Sequence, residues 1–112
     1  MKTSDNTILI TGGGSGIGRE LAHRWHDLGN TVIVVGRTLD ALAQTASGHE
    51  NIHAMTLDVA QAGEVERFAN EVVERFPALN VLVNNAGIMK FEDIAAARDL
   101  SGAQVHALYP PR

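Results

Sequence analysis

A chain of 112 residues and 12.0 kDa holds one hydrophobic core, since a second would need on the order of another hundred residues. With 45% apolar and 20% charged residues it is not a disordered chain, and a formal charge of -4 argues against nucleic acid or an anionic membrane as main partner. The absence of cysteine excludes a disulfide framework, a thiolate metal site and a cysteine nucleophile. The longest apolar stretches, such as Val32 to Val35, fall far short of the roughly 20 residues of a membrane span. Met1 to Asn6 lacks a signal-peptide core, so a soluble, cytoplasmic protein is expected.

Taken in chain order, two patterns alternate. Thr7-Ile-Leu-Ile-Thr11 is a short β-branched run and reads as a first strand. Ile17, Leu21, Trp25 and Leu28 then recur at helical spacing, and Gly29 supplies a C-terminal stop. Thr31 to Gly36 is a second strand whose middle is continuously apolar, as expected where both faces of a parallel sheet are covered. Leu39, Leu42, Ala43 and Ala46 mark a second helix before Gly48, and Ile52 to Leu57 a third strand. Val65, Phe68, Ala69, Val72, Val73 and Phe76 form the clearest apolar stripe, with Glu64, Glu66, Arg67, Glu71, Glu74 and Arg75 facing outward and Pro77 ending the run. Leu79 to Asn84 is a fourth strand. Residues 92 to 106 could begin another helix, interrupted by Gly102, and residues from about 98 to 112 read as an irregular tail without a further strand. The order βαβαβαβ with right-handed crossovers predicts an α/β, Rossmann-like doubly wound parallel sheet, strand order 3-2-1-4, in a single domain spanning 1–112. Trp25, Phe68 and Phe76 lie on the apolar stripes and read as packing rather than ligand contacts.

Thr11-Gly-Gly-Gly-Ser-Gly-Ile-Gly18 falls between the first strand and the first helix, where backbone N–H groups and a helix N-terminus converge on one spot and favour an anion. Side chains there would hold the backbone away from a pyrophosphate. A Gly-x-Gly-x-x-Gly spacing fails, because its third glycine would be Ile17. A Walker loop fails, because Arg19-Glu20 stands where Lys-Ser/Thr belongs, and a Gly-x-Ser-x-Gly elbow fails at Ile17. Thr-Gly-x-x-x-Gly-x-Gly fits, through Gly12, Gly16 and Gly18.

With this loop, Asp58-Val59 and Asn84-Asn-Ala-Gly87 in order, the sequence resembles the short-chain dehydrogenase/reductase family. Residues 7 to 95 look most like a bacterial subgroup related to an oxidoreductase encoded with D-alanyl-lipoteichoic acid genes. The resemblance implies that Gly12, Ser15, Gly16, Ile17 and Gly18 meet the pyrophosphate and ribose of a dinucleotide, that Asp58 and Val59 meet the adenine, and that Asn84, Asn85, Ala86 and Gly87 meet the adenosine ribose while bracing the sheet. NAD-preferring members of that family carry Asp where this chain has Gly36; Arg37 and Thr38 follow. A guanidinium pairs with a 2′-phosphate, so NADP is the expected cofactor and NAD is disfavoured.

Other clusters are weaker. His49-Glu-Asn-Ile-His53 matches the zinc-protease spacing, but it enters a strand rather than a helix, so its side chains should diverge. His23 and His26, beside Asp27, read as a solvated surface pair, and no metal ligand set is expected. The glutamates from Glu64 to Glu74 read as a helix surface.

The family's Tyr-x-x-x-Lys and upstream Ser have no counterpart: the one tyrosine is Tyr109, Lys2 and Lys90 are the two lysines, and Ser101 lies too early. No catalytic residue is therefore expected here, and the chain reads as the cofactor half of a longer fold, truncated or frame-shifted. The fourth strand would then present an open apolar edge, inviting a homo-oligomer or pairing with another chain. A non-catalytic nucleotide-binding or interaction module that uses this edge is the alternative.

Overall fold

The computed structural model describes residues 2–61, 63–86, 88–89, 91–98 and 106–108. The elements are β1 (Thr7–Thr11), α1 (Gly16–Asp27), β2 (Thr31–Gly36), α2 (Leu39–Ala46), β3 (Ile52–Thr56), α3 (Glu64–Arg75), β4 (Val81–Val83), α4 (Phe91–Arg98) and β5 (His106–Leu108). All strand pairs are parallel, in the order β3-β2-β1-β4-β5. The Cα radius of gyration is 12.7 Å, close to the roughly 13 Å that scaling gives for a compact chain of this size.

The continuous apolar runs are explained by two cores, one on each face of the sheet. Because strand side chains alternate, Ile8 and Ile10 of β1, Val32 and Val34 of β2, and Val81 and Val83 of β4 pack toward α1 and α2, with Ala22 and Leu42. Leu9, Ile33, Val35 and Leu82 point the other way, onto Phe68, Ala69 and Val72 of α3 and Ile94 of α4. Trp25 and Phe76 are partly buried against these clusters, as their helical spacing predicts.

Three buried or half-buried asparagines tie together the strand starts. Asn30 Oδ1 accepts from the backbone N–H of Asn6 at 2.9 Å and from its side-chain amide at 3.0 Å. Asn80 Oδ1 accepts from Thr7 N–H, and the Asn80 amide donates to Asn6 Oδ1. The α1–β2 turn that places Asn30 is made by Gly29 at φ +97°.

Two expectations need correction. The segment from about 98 to 112 does contain a further strand, because His106–Leu108 forms β5, in register with Val81, Leu82 and Val83. The fourth strand consequently has no open edge: β4 is interior, and the parallel edges belong to β3 and β5. An unpaired row of buried-strand N–H and C=O groups is costly, and a three-residue ladder suffices to satisfy it. The expected interruption at Gly102 lies outside the described residues.

Candidate functional site

The C-terminal ends of the parallel strands all meet one edge of the sheet. Between β1 and β4 the chain order reverses, which leaves a crevice there. β1 ends at the buried Thr11, and the chain then turns through Gly12 at φ +71°. The N–H groups of Gly12 and Gly13 are drawn back onto the Val35 carbonyl at 2.8 and 3.4 Å. A β-carbon on Gly18 would lie 2.0 Å from the Gly12 carbonyl oxygen, and one on Gly13 2.6 Å from Val34 Cβ. Gly16, at φ +58°, has nothing within 4 Å of such an atom. Gly12, Gly13 and Gly18 thus let loop, helix and sheet close up, whereas Gly16 keeps space free outside the loop.

Two residues missed as site residues in the sequence hold the loop from behind. Arg19 donates from Nε to Thr45 Oγ1 at 3.0 Å and from Nη2 to the carbonyls of Gly14 and Ala41. Thr45, fully buried, donates its hydroxyl to the Gly13 carbonyl at 2.7 Å. Arg19 therefore faces the loop's backbone oxygens. Thr45, in the last turn of α2, carried no signal of this in the sequence, because its partners come from another element.

The front of the loop is built for a negative charge. Ser15 caps α1 in an extended conformation without a side-chain capping hydrogen bond, and α1 has no acidic residue in its first turn. The other described helices carry Asp40, Glu64 and Glu66, or Glu92 and Asp93 there. α1 alone keeps its positive dipole end and unpaired first-turn N–H groups uncompensated. Ser15, Gly16 and Ile17 are exposed and Gly18 is buried; Ile17 leaves 59% of its surface to solvent.

On the β4 side, Thr11 Oγ1 donates to Asn84 Oδ1 at 3.1 Å and accepts from Ala86 N–H at 3.0 Å. Asn85 reaches the Gly12 carbonyl at 3.4 Å. The Asn84 to Ala86 segment is thereby tied to the end of β1, the bracing expected of it. Gly87 lies outside the described residues.

On the β2 side, a cavity of about 200 Å³ is bounded by Gly12 and Ser15 of the loop and by Gly36, Arg37 and Thr38. Thr38 caps α2 without using its hydroxyl. Among the described residues Arg37 has no hydrogen-bond or ion-pair partner, whereas Arg19, Arg24, Arg67 and Arg75 each have one. Beside Arg67, Glu64 raises the guanidinium pKa by hydrogen bonding and charge. Arg37 also borders a larger groove, about 500 Å³, that passes Asp58 along the open edge of β3. Asp58 closes its own turn by accepting from Ala60 N–H at 3.0 Å, and Val59 beside it is 43% exposed. Loop, Arg37 and Asp58 therefore form an arc over the ends of β1, β2 and β3. The arc fits a dinucleotide: an anion cradle in the middle, a free guanidinium and hydroxyl next to it, and an exposed apolar side chain at the rim.

His49 and His53 diverge as expected, His49 toward α1 and His53 onto Phe76 at 5.2 Å between ring centroids. The nearby His23 and His26 do not form a solvated pair; both are half-buried and meet His49. Among the described residues no helix is long and apolar enough to cross a membrane.

Residues 6–108 match the family model of the short chain dehydrogenases. The chain is 49% identical over 90 residues, 80% of its length and 36% of the relative's, to the uncharacterized oxidoreductase DltE of Bacillus subtilis. It superposes with a TM-score of 0.69 and 33% identity on the citronellol catabolism dehydrogenase AtuB of Pseudomonas aeruginosa, covering 74% of this chain and 37% of that one. A short chain dehydrogenase from Shigella flexneri complexed with NADP matches with a TM-score of 0.67 and 31% identity, over 73% of this chain and 37% of its own. The chain thus spans little more than a third of the length of these proteins.

Proposed function

The chain belongs to the short-chain dehydrogenase family, and on that premise we propose that it is the NADP-binding part of an oxidoreductase that moves hydride between NADP(H) and a carbonyl or alcohol. The observation that carries this reading is the arc itself: an α1 N-terminus free of acidic residues beside the unpartnered Arg37 guanidinium. When bound, the dinucleotide supplies or accepts the hydride. The chain's own groups bind and orient it. First-turn N–H groups of α1 and the Ser15 hydroxyl hold the pyrophosphate, and Arg37 and Thr38 hold the 2′-phosphate. Asp58 and Val59 would border the adenine, Ile17 the pyrophosphate and ribose, and Asn85 and Ala86 the adenosine ribose. The dinucleotide complex of the Shigella flexneri relative supports the NADP assignment.

We assign these residues cofactor binding. Calorimetric titration with NADPH and NADH side by side tests the proposal. Saturable NADPH binding, tighter than NADH by at least roughly tenfold, is the expected result for a charge-assisted 2′-phosphate contact. Folded protein whose heat signal and melting temperature ignore both dinucleotides would overturn it.

A further inference from the structure

We propose that the chain carries a second binding site, for a borderline divalent transition-metal ion such as Zn²⁺, made by His26, Asp27 and His49 at the other end of α1 from the glycine loop. Each residue offers one ligand atom, and the three atoms lie within 4.8 Å of one another. Around a zinc ion with bonds of about 2.0–2.2 Å, neighbouring ligand atoms stand about 3.3 Å apart. Asp27 Oδ1 already stands 3.2 Å from His26 Nδ1, and its side chain is 71% exposed, so side-chain torsions have only the remaining gap to close.

The contacts of the two rings mark which nitrogen of each faces the ion. His49 Nδ1 sits 2.9 Å from the Ser47 carbonyl oxygen, a contact only an N–H can make, so its lone pair is at Nε2. A backbone carbonyl behind the ring is the usual support of a metal-bound imidazole. His26 Nδ1 lies 3.2 Å from Asp27 Oδ1, while its Nε2 accepts from Asn51 N–H at 3.4 Å. The 3.2 Å spacing of His26 Nδ1 and Asp27 Oδ1 is that of two ligands on one zinc ion, so Nδ1 is the ligating atom of His26, and binding there gives up only the long Nε2 contact to Asn51.

Ring geometry separates ligands from supports. His23 and His49 stack at 4.1 Å with planes 6° apart. Imidazole lone pairs lie in the ring plane, so two stacked rings cannot aim at one ion. His23, whose Nε2 donates to the Thr45 carbonyl at 2.8 Å, is instead the wall that holds His49 in place. The His26 ring stands at 82° to His49, 5.0 Å away, and in-plane lone pairs of crossed rings can converge. The site also lies at the negative dipole end of α1, which favours a cation. Two imidazoles and one carboxylate suit Zn²⁺, Co²⁺, Ni²⁺ or Cu²⁺ rather than Mg²⁺ or Ca²⁺. An ion there would tie α1 to the α2–β3 turn and stabilise the folded chain by mass action.

The test is titration of the untagged full chain with ZnCl2, with MgCl2 as control, together with nuclear magnetic resonance of the histidine rings in the presence of Co²⁺. Expected are one saturable Zn²⁺ equivalent, a melting temperature that rises with Zn²⁺, and Co²⁺ effects on His26 and His49 far larger than on His53. His26→Ala and His49→Ala should each raise the Zn²⁺ dissociation constant at least roughly tenfold and Asp27→Asn several-fold, with His53→Ala unchanged. The Co²⁺ measurement needs no variant, so a misfolded substitution leaves the proposal open to refutation. Failure of folded wild-type protein to bind Zn²⁺ saturably below millimolar concentration, or Co²⁺ effects at His53 equal to those at His26 and His49, overturns it.

Discussion

The carbonyl oxygen of Gly12 occupies the place a β-carbon of Gly18 would need, 2.0 Å from the ideal position of that atom. The first and last glycines of the loop are therefore in contact across the turn, and neither a rotamer change nor a side-chain shift can relieve a substitution at Gly18. Gly18→Ala should cost several kcal/mol of stability, on the scale of overpacking with backbone displacement, about 1–3 kcal/mol or more, read from denaturant midpoints. Gly16→Ala separates stability from binding. Its β-carbon meets nothing, so only the left-handed backbone at φ +58° is penalised, by about 1–2 kcal/mol. Because that atom would project into the space proposed for the pyrophosphate, dinucleotide affinity should fall further than stability does. Equal loss in both quantities would mean the open side of Gly16 is not where the ligand sits.

Cofactor choice should rest on residues 36 and 37. The atoms nearest a β-carbon at Gly36 belong to the Leu42 side chain, the closest at 3.5 Å, an ordinary contact, so Gly36→Asp is expected to fold. Its carboxylate would accept from a ribose 2′-hydroxyl and repel a 2′-phosphate, so the variant should bind NADPH more weakly and NADH more tightly. Arg37→Ala should raise the NADPH dissociation constant by roughly tenfold or more and leave that of NADH within about twofold, as expected for loss of a phosphate contact of 1.5–3 kcal/mol. Titrations of both variants against both nucleotides check this.

Thr11→Val keeps the shape of a fully buried side chain and removes its hydroxyl. Asn84 loses a donor and Ala86 N–H its acceptor, so stability should drop by about 1–3 kcal/mol in urea unfolding, with weaker dinucleotide binding as the Asn84 to Ala86 wall loosens.

Asn30→Ala should be among the most damaging single changes outside the two cores. The side chain accepts twice from Asn6 and donates to the carbonyls of Thr3 and Trp25 at 2.8 and 2.7 Å, and its loss strands buried polar groups on the first strand and on α1. A cost of about 2–4 kcal/mol is expected, measured as a shift of the thermal or denaturant midpoint.

Deleting residues 106–112 should uncover β4 and increase self-association in light scattering, because Val81–Val83 would then offer unpaired ladder groups. An unchanged molecular mass after deletion would show that β5 does not protect this edge.

Much of this was legible in the sequence, and the reason is local. Runs such as Thr7–Thr11 and Thr31–Gly36 carry β-branched residues over the exact span of a strand, and the stripe from Val65 to Phe76 carries its own period, so each element announces itself without its neighbours. The glycine loop was equally readable, because its spacing reflects a backbone conformation rather than a partner. Long-range pairing decided the rest. β5 is three residues, His-Ala-Leu, with no periodicity of its own; it exists because β4 needs hydrogen-bond partners. Arg19 of α1 and Thr45 of α2, 26 residues apart in sequence, meet behind the loop, and His23, His26 and His49 meet only once α1 and the turn before β3 pack side by side. Composition and period determine which faces must be buried; which distant polar groups then find each other depends on how those faces are stacked.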